Sequence, residues 1–281
     1  MSIRVGGLKP TFRDALRAAE RPLIGIWVSS GSPLMAEICA GSGLDWVLID
    51  AEHGPNGLES ILAQLQAVHG YPVTPVVRVP FGEPVIIKQV LDLGAQNLLV
   101  PMVDTADQAR AVVAAVRYPP RGVRGVGASL ARASRWNRVD DYLAVADDTV
   151  SLTVQIETAT AVENVREIAS VDGVDALFVG PADLAASMGL LGQQEHPEVV
   201  AAVEHCVRVA AELGRPLGVN AFAPATAERY LAAGSPFVAV GADVALVARA
   251  SEKLAEAFIG ERQDDPGGKA RTAPPAERPS Y

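Results

Sequence analysis

The sequence predicts an α/β protein built as one (β/α)8 barrel, the TIM-barrel architecture. Eight short runs rich in Val, Ile and Leu alternate with eight helical segments, which is the element count of such a barrel. The chain has 281 residues, close to the ~250 that are typical of one barrel. Apolar residues make up 49% of the chain and charged residues only 20%, so a large share of it must be buried.

The strands read as nearly continuous apolar runs, the pattern of parallel strands buried on both faces. We predict them at residues 23–28, 46–50, 74–79, 97–100, 151–156, 176–179, 216–219 and 237–240. Amphipathic patterns predict the helices at residues 33–40, 58–69, 84–93, 105–116, 161–170, 197–213, 225–233 and 244–258. A glycine separates helix from strand at several junctions, where it can end a helix in the left-handed conformation. A doubly wound open sheet is the alternative, but no G-x-G-x-x-G follows the first strand.

Two segments interrupt this alternation. Residues 118–148 form a long insertion, and loops of such length are usually functional or disordered. Its five arginines and its tryptophan leave anion binding and a subunit contact both open; they are Arg121, Arg124, Arg132, Arg135, Arg138 and Trp136. Residues 260–281 are rich in Pro, Gly and charge, so we predict a disordered tail after a single barrel domain at 1–259.

Charge and composition narrow the class of partner. The net charge of −9 provides no basic footprint for nucleic acid, although a local basic pocket for a small anion is compatible with it. The start of the chain has no apolar core of a signal peptide, and no apolar run is long enough to cross a membrane. Cys39 and Cys206 are expected to be buried thiols. We therefore predict a cytoplasmic protein with small-molecule substrates.

Two carboxylates follow neighbouring strands in the stretch 150–184. Glu157 ends the run V-Q-I-E, and Asp183 lies in G-P-A-D-L just after the next strand. Chemistry in such barrels occurs where the strands end at their carboxyl edge, so these acids could hold a divalent cation through oxygen ligands. Helix capping and surface salt bridges are the ordinary alternative. Gln155 lies on the same side of its strand as Glu157 because side chains alternate with a period of two.

The second and third strands end in further candidates. L-I-D-A-E-H places Asp50, Glu52 and His53 at the mouth, where a histidine beside carboxylates can move protons near neutral pH. Arg78 closes an apolar strand and needs a partner, which is Glu52 or Asp50 in an ion pair, or else a carboxylate or enolate oxygen of a substrate. Asp92 lies near a helix end. An ion pair with Lys88 is the ordinary explanation for it, and a role in orienting a histidine is the alternative.

The turn after the sixth strand and the positions of the lysines bear on the type of reaction. The G-P-A-D turn would expose backbone N–H groups of Ala182 and Asp183 at a helix start, which attracts anions such as a carboxylate. A Schiff-base mechanism needs a desolvated lysine, but none of the four lysines ends a predicted strand. Metal-assisted carbonyl chemistry remains.

Taken together, the motifs resemble the 4-hydroxy-2-oxoheptane-1,7-dioate aldolase family, the metal-dependent (class II) pyruvate aldolases. The resemblance spans residues 22–258 and rests on W-V-L-I-D-A-E-H-G-P-N, P-V-V-R-V-P, L-L-V-P-M-V, R-Y-P-P-R-G-V-R-G-V-G, L-A-R-A-S-R-W-N, V-Q-I-E-T and G-P-A-D-L. It implies cleavage of 4-hydroxy-2-oxo acids to pyruvate and an aldehyde, or the reverse. It also implies a homo-hexamer, a trimer of dimers, whose last helix packs against a neighbouring subunit.

The same resemblance assigns roles to residues. It implies Mg²⁺, Mn²⁺ or Co²⁺ at Glu157 and Asp183, and an enolate-stabilising role for Arg78. His53 would belong to the acid/base machinery, with Asp50 or Asp92 as its supporting acid. Gln155 would line the pyruvate pocket, and the turn from Gly180 through Ala182 to Asp183 would bind the carboxylate.

Two functions other than a pyruvate aldolase are also compatible with these residues. An acyl-coenzyme A lyase of the citryl or malyl type would share the carboxylates but need a basic groove, which the arginines of 121–138 could supply. A non-catalytic barrel that binds a 2-oxo acid is the second alternative, disfavoured by the full set of acid, base and arginine. The seventh strand ends in G-V-N-A-F-A-P, where relatives are more aliphatic, so the acceptor aldehyde stays open.

Overall fold

Eight parallel strands close into a barrel in chain order, which confirms the predicted fold. The computed structural model describes residues 4–5 and 8–259; the tail predicted to be disordered lies outside them. The strands are β1 (Leu23–Val28), β2 (Trp46–Asp50), β3 (Thr74–Arg78), β4 (Asn97–Val100), β5 (Ser151–Ile156), β6 (Ala176–Val179), β7 (Leu217–Asn220) and β8 (Phe237–Ala242).

Helices separate successive strands and cover the barrel. They are α1 (Phe12–Ala18), α2 (Pro33–Ala40), α3 (Leu58–Ala67), α4 (Pro84–Asp92), α5 (Ala106–Val116), α6 (Tyr142–Val145), α7 (Ala159–Glu163), α8 (Val165–Ala169), α9 (Pro181–Ser187), α10 (Pro197–Glu212), α11 (Pro224–Ala232) and α12 (Asp243–Ile259). Short 3-10 turns at Val68–Gly70, Ala128–Leu130, Arg132–Ser134 and Ala146–Thr149 complete the set.

The strand and helix boundaries differ from the predicted ones in a few places. β3 ends at Arg78, one residue early, and β7 is shifted by one residue so that it ends at Asn220. The single helix predicted after β5 is two short helices that meet at Asn164. The side-chain amide of Asn164 donates to the Asp104 carbonyl at 2.8 Å, and this bond to a loop holds the break between the two helices.

Helix α1 was not predicted, and it closes the amino-terminal end of the barrel. Thr11 and Asp14 form a capping box, which fixes where the helix begins. Its first residue, Phe12, is 1% exposed and packs its ring 5.5 Å from Trp46 and 5.2 Å from Phe237. Aromatic side chains thus fill the barrel interior at its amino-terminal end.

Large and small residues alternate inside the barrel. A Cβ at Gly25 would lie 2.2 Å from the Trp46 ring, and one at Gly218 would lie 2.2 Å from the Phe237 ring. Only glycine leaves room for those rings, so packing sets these two positions. The predicted glycines at helix ends are confirmed at Gly94 and Gly234, which follow the last residues of their helices with φ of 91° and 100°.

The long insertion is ordered in the structure. Its short helical turns pack around a small apolar cluster that includes Tyr118, Val139 and Tyr142. Arg124 is buried beneath Tyr118, with its guanidinium carbon 4.5 Å from the ring centre. In the part of the chain that the structure describes, no helix is long and apolar enough to cross a membrane.

Candidate active site

A pocket of about 630 Å³ opens at the carboxyl ends of the strands. It brings together eight of the predicted site residues, which are Asp50, His53, Arg78, Gln155, Glu157, Gly180, Ala182 and Asp183. The closed barrel explains this convergence, because Asp50 and Asp183, 133 residues apart in sequence, lie on the same rim.

Arg78 forms the centre of one wall. Asp50 and Arg78 are register partners on β2 and β3, so their side chains leave the barrel side by side. Arg78 donates from Nε and Nη2 to the two oxygens of Asp50, each at 2.8 Å. Its third nitrogen, Nη1, lies 2.6 Å from Glu52 Oε2, an ion pair without hydrogen-bond alignment. The sequence left open whether Asp50 or Glu52 pairs with Arg78, and the structure shows that both do.

The guanidinium is fixed from a second side. Its carbon lies 4.2 Å from the centre of the Trp27 ring, and the Arg78 side chain is buried. The guanidinium interacts more strongly with its two carboxylates and the aromatic face in this desolvated setting than it would in water. Its position is set before any substrate enters.

His53 lies at the rim and is largely solvent-exposed, with 67% of its side chain accessible. Its ring Nε2 is 4.0 Å from Glu52 Oε2, while its backbone N–H donates to Asp50 Oδ1 at 3.4 Å. The acid beside the imidazole ring is thus Glu52, and Asp50 steadies the loop that carries it. Burial raises the pKa of Glu52, opposed by the charge of Arg78.

Glu157 is the most deeply placed acid of the pocket, at 2% exposure. Its Oε1 accepts from Gln155 Nε2 at 2.5 Å, as the shared face predicted, and its Oε2 accepts from the Met102 N–H at 3.1 Å. Met102 adopts a left-handed φ of 56°, an uncommon conformation that aims its N–H at the carboxylate. Burial, together with the charges of Asp183 and Glu52, raises the pKa of Glu157 to about 8.

Gly180 allows this close approach. A Cβ at residue 180 would lie 2.5 Å from Glu157 Oε1, so any side chain there would displace the carboxylate. The first backbone bond of α9 runs from Leu184 N to Gly180 O. The N–H groups of Ala182 and Asp183 in its first turn are thereby left without an acceptor inside the helix.

The oxygen atoms that line this part of the pocket are suitable ligands for a divalent cation. Glu157 is a buried carboxylate in the field of two further acids, and the amide oxygen of Gln155 beside it is buried without a partner. Mg²⁺ and similar cations typically use one or two protein carboxylates and complete their shell with water and substrate oxygens. Among the described residues no three His, Cys, Asp or Glu cluster as a metal site, so Glu157 and Asp183 would be its carboxylate ligands.

Asp92 is the predicted site residue that the structure does not bring to the pocket. It ends α4 and accepts from Arg124 Nη2 at 2.8 Å, so its partner is neither Lys88 nor His53. The arginines of the insertion also lie elsewhere, and none of the five lines this pocket. That placement removes the basic groove on which the coenzyme A alternative depended.

Three lining residues were not predicted individually, although the stretch G-V-N-A-F-A-P contains two of them. Ser29, Phe222 and Asn220 follow or end strands whose runs carry no acid, histidine or arginine to mark them. Asn220 is half-buried in the wall, and its Oδ1 has no hydrogen-bond partner among the described residues. A polar residue ending an apolar strand was the signal that could have identified it.

The burial of Glu157 makes the stability of the folded chain depend on pH. Its pKa is about 8 in the folded chain against 4.5 in the unfolded one, so folding retains a proton that the unfolded chain releases. Metal-free protein should therefore lose stability as the pH rises from about 4.5 to about 8, and Glu157→Gln should remove that loss. We expect the variant to gain on the order of 4 kcal/mol relative to the parent between pH 5 and 8.5, since each unit of pKa shift corresponds to about 1.4 kcal/mol. Chemical unfolding in chelator at both pH values measures it, and parallel pH profiles would contradict the burial argument.

Comparison with known proteins places the chain among a set of aldolases. The family described as HpcH/HpaI aldolase/citrate lyase matches residues 23–250. A hydroxypyruvate/pyruvate aldolase of Cupriavidus necator H16 is 53% identical over 269 residues, which cover 96% of this chain and 97% of the relative. A 4-hydroxy-2-oxo-heptane-1,7-dioate aldolase of Salmonella paratyphi A is 52% identical over 255 residues, covering 91% and 97% of the two chains.

A solved structure agrees with the sequence matches. The crystal structure of an HpcH/HpaI aldolase/citrate lyase family protein from Burkholderia cenocepacia superposes with a TM-score of 0.84 at 40% identity. The alignment covers 88% of this chain and 98% of that one. Residues 23–250, which the family model matches, include all eight strands and the rim that carries the pocket.

Proposed function

Because the chain belongs to the HpcH/HpaI aldolase/citrate lyase family, we propose that its pocket cleaves 4-hydroxy-2-oxo acids to pyruvate and an aldehyde, and catalyses the reverse addition. The protein is a pyruvate aldolase, a carbon–carbon lyase. The observation that carries the assignment to this pocket is the meeting of two carboxylates, Glu157 and Asp183, with a pre-positioned Arg78.

Glu157 and Asp183 would hold the divalent cation, Mg²⁺, Mn²⁺ or Co²⁺. When bound, the cation supplies Lewis-acid polarisation of the keto group. The free N–H groups of Ala182 and Asp183 would bind the substrate carboxylate, as helix starts commonly do. Gln155 lines the same wall and presents an amide whose oxygen is still unpartnered.

The side chains of the opposite wall would manage charge and protons. In cleavage the C4 hydroxyl loses its proton, the C3–C4 bond breaks and its electron pair forms the enolate of pyruvate. His53, exposed beside Glu52, would take the hydroxyl proton on its ring. Arg78, locked by Asp50, Glu52 and Trp27, would stabilise the enolate oxygen until C3 is protonated.

Pyruvate release from 4-hydroxy-2-oxo acids tests the proposal directly. We expect EDTA-treated protein to lose release and to regain it with Mg²⁺, Mn²⁺ or Co²⁺. Release that does not depend on a divalent cation would contradict the cation site. Absence of release from every 4-hydroxy-2-oxo acid in a panel of chain lengths would contradict the activity.

Asn220 is proposed to act on the acceptor side. Its amide stands in the pocket wall with one end unpartnered, so it can bond to a hydroxyl on the substrate. We expect Asn220→Leu to lower kcat/KM for glycolaldehyde about 5-fold relative to propionaldehyde as acceptor of pyruvate, since a lost hydrogen bond costs about 1 kcal/mol. An unchanged ratio of the two aldehydes would remove Asn220 from the acceptor site.

We further propose the hexameric assembly, in which α12 packs against a neighbouring copy. Apart from Asp243, no residue of this 17-residue helix is buried. Its apolar side chains include Leu254, Phe258 and Ile259, exposed by 61%, 85% and 68%. Such a surface is typical of an interface. Light scattering should give six chains for the parent and fewer for Leu254→Glu/Phe258→Glu; a monomeric parent would contradict the assembly.

A further inference from the structure

A second cavity, of about 460 Å³, lies at the opposite end of the barrel. Its wall includes Thr74 and Asn97, the first residues of β3 and β4, whereas the active-site pocket is lined from the last residues of the strands. The two cavities therefore open on different faces, and the residues of this one take no part in the aldolase site.

Four basic side chains converge on the cavity from separate parts of the chain. Lys9 precedes α1, His69 follows α3, and Arg132 and Arg135 belong to the long insertion. The Nη1 atoms of the two arginines lie 2.8 Å and 3.0 Å from the position that a Cβ would take at Gly94. Gly94 follows the end of α4 with a φ of 91°, and its missing side chain leaves room for both guanidinium groups.

This positive cluster is not neutralised by the described chain. None of the four side chains forms an ion pair with a carboxylate among residues 4–5 and 8–259; each arginine and Lys9 donates only to a backbone carbonyl. The one acid in the wall, Asp14, is engaged as the capping partner of Thr11. Burial and the neighbouring Arg135 lower the pKa of Arg132 to about 10.

The backbone that delivers the arginines is itself unusual. Arg135, Trp136 and Asn137 form a run of left-handed residues, with φ of 54°, 55° and 62°. Non-glycine residues avoid this region, and such conformations concentrate at functional sites. Like charges held together at this cost, in a chain of net charge −9, favour the binding of an anion between them.

We propose that this cavity binds a multivalent oxyanion, a phosphate or a polycarboxylate, between Arg132, Arg135, Lys9 and His69. Arginine forks match the oxygens of both classes, and the half-buried setting strengthens each contact. Because the site lies on the amino-terminal face, where barrels gain stability, the bound anion stabilises the insertion and the barrel beneath it. The inference does not depend on the aldolase assignment.

Thermal unfolding of the full chain, freed of metal by EDTA, tests the site. At constant ionic strength, 20 mM phosphate or citrate should raise the midpoint by about 2–4 °C relative to chloride, and the two arms show which class binds more tightly. In Arg132→Gln/Arg135→Gln the response should disappear, while Arg121→Gln should keep it, since Arg121 is an exposed arginine of the same insertion paired with Asp147.

The remaining outcomes also decide the question. An equal response in the double variant would place the anion elsewhere and overturn the proposal, as would a parent that responds no more than it does to chloride. A change in the mass of the assembly on Arg132→Gln/Arg135→Gln would show that the cluster serves a contact between copies instead. If that variant does not fold, Lys9→Gln should weaken phosphate binding at least several-fold in calorimetry, and unchanged affinity would be equally decisive.

Discussion

Replacing Arg78 by lysine is expected to lower kcat/KM for pyruvate release by about 10²–10³-fold while the protein still folds. A lysine keeps the positive charge between Asp50 and Glu52, so the buried acids retain a counter-ion. It cannot reproduce the paired bonds to Asp50 or the stacking on Trp27, and its single ammonium is not held at the enolate position. We therefore expect Arg78→Lys to lower kcat more than it lowers the free energy of unfolding.

Arg78→Ala separates the structural role from the chemical one. Removing the cation leaves two carboxylates in the pocket without a partner, and breaking such a buried pair typically costs about 3–5 kcal/mol. Arg121→Lys is the matched control, because that arginine is exposed and far from the pocket. Normal turnover in Arg78→Lys would disprove the enolate role, and an unfolding free energy unchanged in Arg78→Ala would disprove the structural one.

The pair Glu157→Gln and Asp183→Asn should have the largest effect of all. Both changes preserve shape and remove the negative charge that a cation needs, so turnover in saturating Mg²⁺ or Mn²⁺ should fall by more than about 10³-fold. The steady-state rate of pyruvate release measures it. Glu163→Gln is the control, since Glu163 is an exposed acid on the helix that follows Glu157. Retained turnover in the double variant would refute the cation site.

The barrel and much of its site followed from sequence patterns because both depend on local periodicity. Apolar runs located the eight strands, and the position of an acid or arginine at the end of a run located the rim. The alternation of side chains correctly placed Gln155 beside Glu157. What the pattern could not decide was pairing across strands, because register is a property of the closed barrel. Arg78 proved to contact both of its candidate partners.

Other features depend on tertiary packing and escaped the sequence argument. The capping box of α1 was readable in T-F-R-D, yet nothing local shows that Phe12 fills the barrel. The prediction of a role for Asp92 rested on its position in a helix, whereas its partner Arg124 comes from the distant insertion. The basic cavity was out of reach for the same reason, since its side chains come from residues 9 to 135.

Glu157 and Asp183 are proposed to bind a divalent cation together with pyruvate. Calorimetric titration of Mn²⁺ into metal-free protein, with and without pyruvate, measures this binding. We expect one Mn²⁺ per chain, bound about 10-fold more tightly when pyruvate is present, because substrate oxygens complete the cation's ligands. We expect no such binding in the Glu157→Gln/Asp183→Asn variant. Mn²⁺ affinity that is the same in the variant, or that pyruvate does not change, would contradict it.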